Sequence, residues 1–157
     1  MNVTTGLVLP LLIGVIAGLR AMTAPAAISL AARAGRLDLA TTRLAFLGYA
    51  YTPWIFAALA LVELVTDQLP TTPSRTVPIQ FGTRILMGGL TGGAIGASGG
   101  ALTLGVIAGI VGAVIGTLGG RAARARLASR FGSDRPAAVI EDVIAIGGAF
   151  LIVRVLP

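Results

Sequence analysis

Cysteine, histidine and lysine are absent from this 157-residue chain. That removes disulfides, thiol nucleophiles, imidazole bases and the softer metal ligands. Chemistry is left to six acids, twelve arginines and scattered hydroxyls. Seven of the charges lie in or beside long apolar stretches: Arg20, Glu63, Asp67, Arg75, Arg84, Glu141 and Asp142. Glu63 and Asp67 are four residues apart, which places them on one face of a helix. An ionised side chain in hydrocarbon costs at least about 2.5–3.5 kcal/mol, so such groups turn inward and pair or reach the membrane surface. Two uses compete. In one, carboxylates and guanidiniums hold helix ends and a proline loop in place. In the other, part of the set, with Thr23 three residues after Arg20, binds a solute or relays protons. Two acids on one face can raise each other's pKa by repulsion and desolvation, which suits proton exchange. Magnesium or calcium at the acid pairs is conceivable by ligand type, but no spacing is diagnostic and no metal or cofactor is expected. Hydrolytic catalysis needs a positioned nucleophile and base. With only scattered hydroxyls available, the chain is not expected to be an enzyme.

The elements that must position these residues are apolar. Hydrophobic residues make up 55% of the chain and charged ones 11%, against about 25% charged in soluble domains. The composition is that of an integral membrane protein, and the length allows one domain, 1–157, of about five spans of about 20 residues. The net charge of +6 rests on arginine alone and persists at any physiological pH. The arginines are dispersed between apolar spans, which argues against nucleic-acid binding.

Val3 to Gly18 is read as the first span rather than a signal peptide, because no basic residue precedes it and no small-residue cleavage pattern follows. Arg20-Ala21-Met22-Thr23-Ala24-Pro25 then breaks the pattern before helical sequence resumes through Ala34. Proline disfavours helix at the preceding residue, so residues 5–35 are expected to form two half-helices around a polar break. A simple proline kink with Arg20 snorkelling to the interface is the alternative. A second span is expected over Ala45 to Leu69, with Tyr49, Tyr51 and Trp54 as an interfacial belt. A stiff loop with Pro70, Pro73 and Pro78 follows. Glycine then recurs at 88, 92, 96, 100, 105, 109, 112, 116 and 120. In hydrocarbon such a stripe lets helices approach closely, where in water it would weaken them. Two spans are expected, Ile79–Ser98 and Ala101–Ala122, the second leading into a basic amphipathic extension. The last helix is expected over Pro136–Val155.

Basic connections should collect on the cytoplasmic side. With five spans, Arg33, Arg36 and Arg43 fall opposite Arg121–Arg135. Gly14-Val15-Ile16-Ala17-Gly18 reappears as Gly105-Val106-Ile107-Ala108-Gly109. Each copy is followed by arginine, a basic connection and a helix with two acids, which suggests an inverted repeat of the kind found in secondary transporters. Antiparallel pairing of whole chains in a dual-topology dimer is the other explanation.

Three segments carry a resemblance. They are Gly18-Leu19-Arg20-Ala21-Met22-Thr23-Ala24-Pro25; Glu63 with Asp67-Gln68-Leu69-Pro70 and Thr72-Pro73-Ser74-Arg75-Thr76; and Glu141-Asp142 with Ala145-Ile146-Gly147. Together they resemble the domain-of-unknown-function family numbered 4126, small multi-pass bacterial membrane proteins. The resemblance covers nearly the whole chain and implies an all-helical, multi-pass protein of the bacterial inner membrane. It supplies no substrate and no catalytic residues.

The expectation is an all-α polytopic membrane helix bundle with a broken first helix, in contact with the lipid bilayer and with itself as a homo-oligomer. Its leading function is a transporter or channel for a small anionic solute or a proton-coupled one, with a charged intramembrane site. The rival is a structural or lipid-binding protein in which the same charges only staple helices.

Overall fold

The computed structural model describes residues 3–67 and 76–156, with side chains from Gly6 onward. Among these residues the chain is all-helical: α1 (Val3–Leu19), α2 (Thr23–Arg33), α3 (Thr52–Thr66), α4 (Pro78–Ser98), α5 (Leu102–Phe131) and α6 (Asp134–Val155). A single 3₁₀ turn, Ala45–Gly48, precedes α3. Two helices, α5 and α6, are long and apolar enough to cross a membrane.

The expected break in the first helix is present, and it lies at Arg20–Met22 rather than at the proline. Pro25 sits in the first turn of α2, where its missing N–H removes a donor that has no partner within the helix in any case. The break is a reversal. Asp142 on α6 pairs with Arg20, Gly148 lies against the Ile16 side chain, and the carbonyls of Val153 and Arg154 accept from Arg36. Rising in number along α6 therefore means falling in number along α1 and rising along α2. The two halves run antiparallel, and α1–α2 is a hairpin.

Glycine sets the rest of the architecture. A Cβ on Gly14 would lie 2.2 Å from the Gly109 carbonyl oxygen, and one on Gly18 would lie 2.4 Å from that of Ala113. On α4, a Cβ on Gly92 would meet the Gly105 oxygen at 2.5 Å, and one on Gly96 the Ala101 oxygen at 2.6 Å. The backbones of α1, α4 and α5 thus touch directly, the approach that small residues at helix interfaces permit. Residue order shows that α1 and α5 run parallel and that α4 runs against both. Together with the hairpin, this makes α1, α3 and α5 point one way and α2, α4 and α6 the other.

Two expectations change. The two Gly-Val-Ile-Ala-Gly copies lie on parallel, touching helices, and α5 continues where α1 breaks, so the copies are not related by inversion. The stretch 45–69 is not one helix: Gly48 and Pro53 leave a 3₁₀ turn and then α3, which starts at Thr52 with its hydroxyl donating to the Phe46 carbonyl at 2.7 Å. The basic segment after Ala122 is a helical extension, as expected, and prolongs α5 to Phe131, where Gly132, in the left-handed region at φ 66°, ends it. The glycine stripe also finds its partners within one chain, which removes the stripe as an argument for a homo-oligomer.

The interior mixes aliphatic side chains, Ile13, Ile28, Leu47 and Ile95 among them, with two guanidiniums, while many other large apolar residues lie outside. Ala94, Ala113, Ala145, Arg20 and Arg84 are enclosed, while Val65, Leu86, Val143 and Leu151 are each more than 60% exposed.

Candidate functional site

The hairpin reversal leaves two helix ends facing the interior. The last carbonyls of α1 and the first amides of α2 have no partner within their helices. Distant side chains supply them. The Glu63 carboxylate, from the last turn of α3, accepts from the N–H groups of Ala21 and Met22, both at 2.8 Å. The Arg84 guanidinium, from α4, donates to the carbonyls of Gly18 and Leu19 at 2.8 and 2.6 Å. The Thr117 hydroxyl, on α5, lies 3.2 Å from the Gly18 oxygen and 2.8 Å from that of Ala113. An anion thus sits at a helix start and a cation at a helix end, each where the helix dipole favours it. Arg84 Nη2 is also 3.7 Å from Glu63 Oε1, so the two capping charges support each other.

Arg20 occupies the turn itself. Its side chain is completely buried, and its two terminal nitrogens reach different helices: Nη1 pairs with Asp67, just past the end of α3, and Nη2 with Asp142 of α6. Beyond Asp67 lies Arg124 of α5. Its guanidinium holds Asp134 through Nε at 2.9 Å and Nη2 at 2.5 Å, and lies 3.5 Å from Glu141 and 3.8 Å from Asp67. Glu141 and Asp142 are adjacent, so on a helix they diverge by about 100°. That divergence lets one face Arg124 and the other Arg20.

Six of the expected site residues therefore converge: Arg20, Glu63, Asp67, Arg84, Glu141 and Asp142. Thr23 does not join them; it lines an apolar groove between α2, α3 and α6. Arg75 lies outside the described residues. Sequence reasoning missed Arg124, Asp134 and Thr117. A signal for Arg124 existed, since Gly116, Gly120 and Arg124 continue the four-residue row of the glycine stripe onto the same face.

The caps give a graded prediction. Glu63→Gln keeps the shape and loses the charge, so it costs about 1.5–3 kcal/mol, the worth of hydrogen bonds to a charged group. Glu63→Ala costs more, because two buried amides then lose their acceptor. Arg84→Met strands two carbonyls and costs at least as much as Glu63→Gln. Thermal unfolding of the detergent-solubilised variants, followed by circular dichroism, checks the order.

An all-helical bundle closed at a helix reversal by buried ion pairs is the class of protein that fold and site define. The chain belongs to the family described as Domain of unknown function (DUF4126), whose model matches residues 7–155. No curated protein and no solved structure matches it.

Proposed function

We propose that the chain is a multi-pass membrane protein in which the buried charges staple a helical hairpin and the outer apolar faces, α2, α3 and α6 among them, meet lipid. The observation that carries this reading is the state of the helix break. In transporters, exposed half-helix ends receive the solute. Here Glu63 already fills the amide end and Arg84 the carbonyl end. An anionic solute would have to displace Glu63 from its own cap.

The membrane part rests on the outer faces: large apolar side chains such as Val65, Leu86, Val143 and Leu151 are exposed on α3, α4 and α6, while the charges of the ion-pair cluster lie within. In water such continuous apolar faces mark an interface or an aggregation hazard. α5 is about 45 Å long and α6 about 33 Å, against a hydrocarbon core of about 30 Å. α4, at 21 residues, is also long enough, and α1–α2 and α3 cross as the packed remainder of the bundle.

The arginine pattern sets a topology test. Arg36 and Arg154 meet at one end of the bundle, while Arg124 and Arg130 belong to the other. Single cysteines at Arg43 and at Arg130, probed in intact cells with a membrane-impermeant maleimide, label from opposite sides if the chain has one orientation. Labelling of both positions from the outside identifies a dual-topology population. Labelling of both only after lysis overturns the multi-pass reading.

A second reading, movement of a proton or small solute, draws on one observation: Arg20 Nε is fully buried and has no hydrogen-bond partner among the described residues. Flux in liposomes that disappears in a Glu63→Gln protein with an unchanged melting temperature supports transport. Loss of folding together with any flux supports the staple.

A further inference from the structure

The groove between α2, α3 and α6 has a volume of about 650 Å³. Its walls are apolar: alanines such as Ala27, Ala57 and Ala149 alternate with larger side chains such as Leu30, Leu64 and Ile146. Thr23 opens α2 at one end and Arg36 follows its last turn at the other, so the helix between them is about 15 Å long. One leaflet of hydrocarbon is about 15 Å deep. The Arg36 end carries a second guanidinium. Arg154 stacks over Phe150, a groove residue, at 4.7 Å from the ring centroid, and Arg36 Nη1 reaches the carbonyls of Val153 and Arg154 at 3.3 and 3.4 Å. Both arginines are exposed, Arg36 in the loop that follows α2 and Arg154 in the last turn of α6. Asp38, the nearest acid in sequence, accepts from the Ala40 N–H at 3.2 Å and lines a separate depression.

We propose that this groove holds one acyl chain of an anionic phospholipid, with its phosphate between Arg36 and Arg154. The proposal rests on the membrane reading above and gives that surface a specific ligand. The alanines in the wall leave room for a polymethylene chain beside the larger apolar side chains, and two guanidiniums at one mouth select charge, because arginine matches phosphate geometry in a bidentate way. Without the arginines, the groove would take any chain equally. With them, it discriminates by headgroup at the end of the bundle away from the ion-pair cluster.

Trp54 is the chain's single tryptophan and lies one turn before Ala57 on α3, at the Arg36 end, so it reports on the groove. The test titrates brominated phosphatidylglycerol or brominated phosphatidylcholine into the detergent-solubilised full chain and follows Trp54 quenching. The expected result is saturable quenching with a half-saturation for phosphatidylglycerol at least five-fold below that for phosphatidylcholine. The double variant Arg36→Gln/Arg154→Gln brings the two lipids together, and Arg154→Gln alone, which leaves the Arg36 contacts to α6 intact, does so in part. Ala60→Phe, which fills the groove, weakens quenching by both lipids. Equal quenching by the two lipids in the native chain overturns the proposal, as does a preference that survives in the double variant. The ion-pair staple is read separately from the melts of Glu63 variants, so either idea can fail while the other stands.

Discussion

Arg20→Met is expected to unfold the bundle or leave it barely folded. The side chain is completely buried, and its two ion-pair partners, Asp67 and Asp142, come from two different helices. Removing one member of a buried ionic group leaves the remaining charges without compensation, which costs about 3–5 kcal/mol. A domain of this size has a total stability of about 5–15 kcal/mol, so the loss takes a large share. Arg20→Lys is no rescue. One ammonium on a flexible stem cannot reproduce a rigid fork that serves two carboxylates at once. The sharper outcome concerns the triple variant Arg20→Met/Asp67→Asn/Asp142→Asn. If the cost is the stranding of acids, neutralising them recovers most of the lost stability, because replacing all members of a buried ionic group is often nearly neutral. Chemical unfolding of the single and triple variants in the same detergent measures this. A single variant within about 1 kcal/mol of the native chain would sink the account, and so would a triple variant less stable than the single one.

How much of this was readable in advance follows from where each signal sits. The break near Arg20 was legible because a charged side chain interrupts an apolar run and must find partners wherever that run is buried. The convergence of Arg20, Glu63, Asp67, Arg84, Glu141 and Asp142 was legible because buried charges must pair, whatever the fold. What the break does was not legible. A kink and a reversal share the same local residues, and the choice is made by Glu63 and Arg84, more than 40 and 60 positions away, which cap the two ends. From that one unreadable choice came the expected helix directions and the inverted-repeat reading, since reversing α2 flips every later helix. The repeated pentapeptide misled for a related reason. Small aliphatic residues at four-residue spacing are what any close helix contact needs, and Gly14 and Gly109 are similar because they touch.

The largest packing effect is expected at Gly109. It is the point where all three glycine-faced helices meet. A Cβ there would lie 2.1 Å from the Gly88 oxygen and 3.1 Å from the Gly92 Cα on α4, while the Gly109 carbonyl already presses on Gly14 of α1. The obstacles are backbone atoms of regular helices, so no side-chain rotation relieves the clash. Gly109→Ala must separate α5 from α4 and, through the same residue, disturb α1. Overpacking relieved by side-chain shifts costs about 1–3 kcal/mol. Here whole helices move, and the expected loss is about 3 kcal/mol or more. The control is the same chemical change at Gly119 or Gly147, which sit in α5 and α6 with nothing within 4 Å of an added methyl. There alanine only improves helix propensity, by about 0.5–1 kcal/mol. One methyl group is thus expected to have opposite signs ten residues apart on a single helix. Melting temperatures of Gly109→Ala and Gly119→Ala that move together would mean that the helices do not approach backbone to backbone. Without that approach, Arg84 and Thr117 lose their reach to the carbonyls of Gly18 and Leu19, and the hairpin loses its cap.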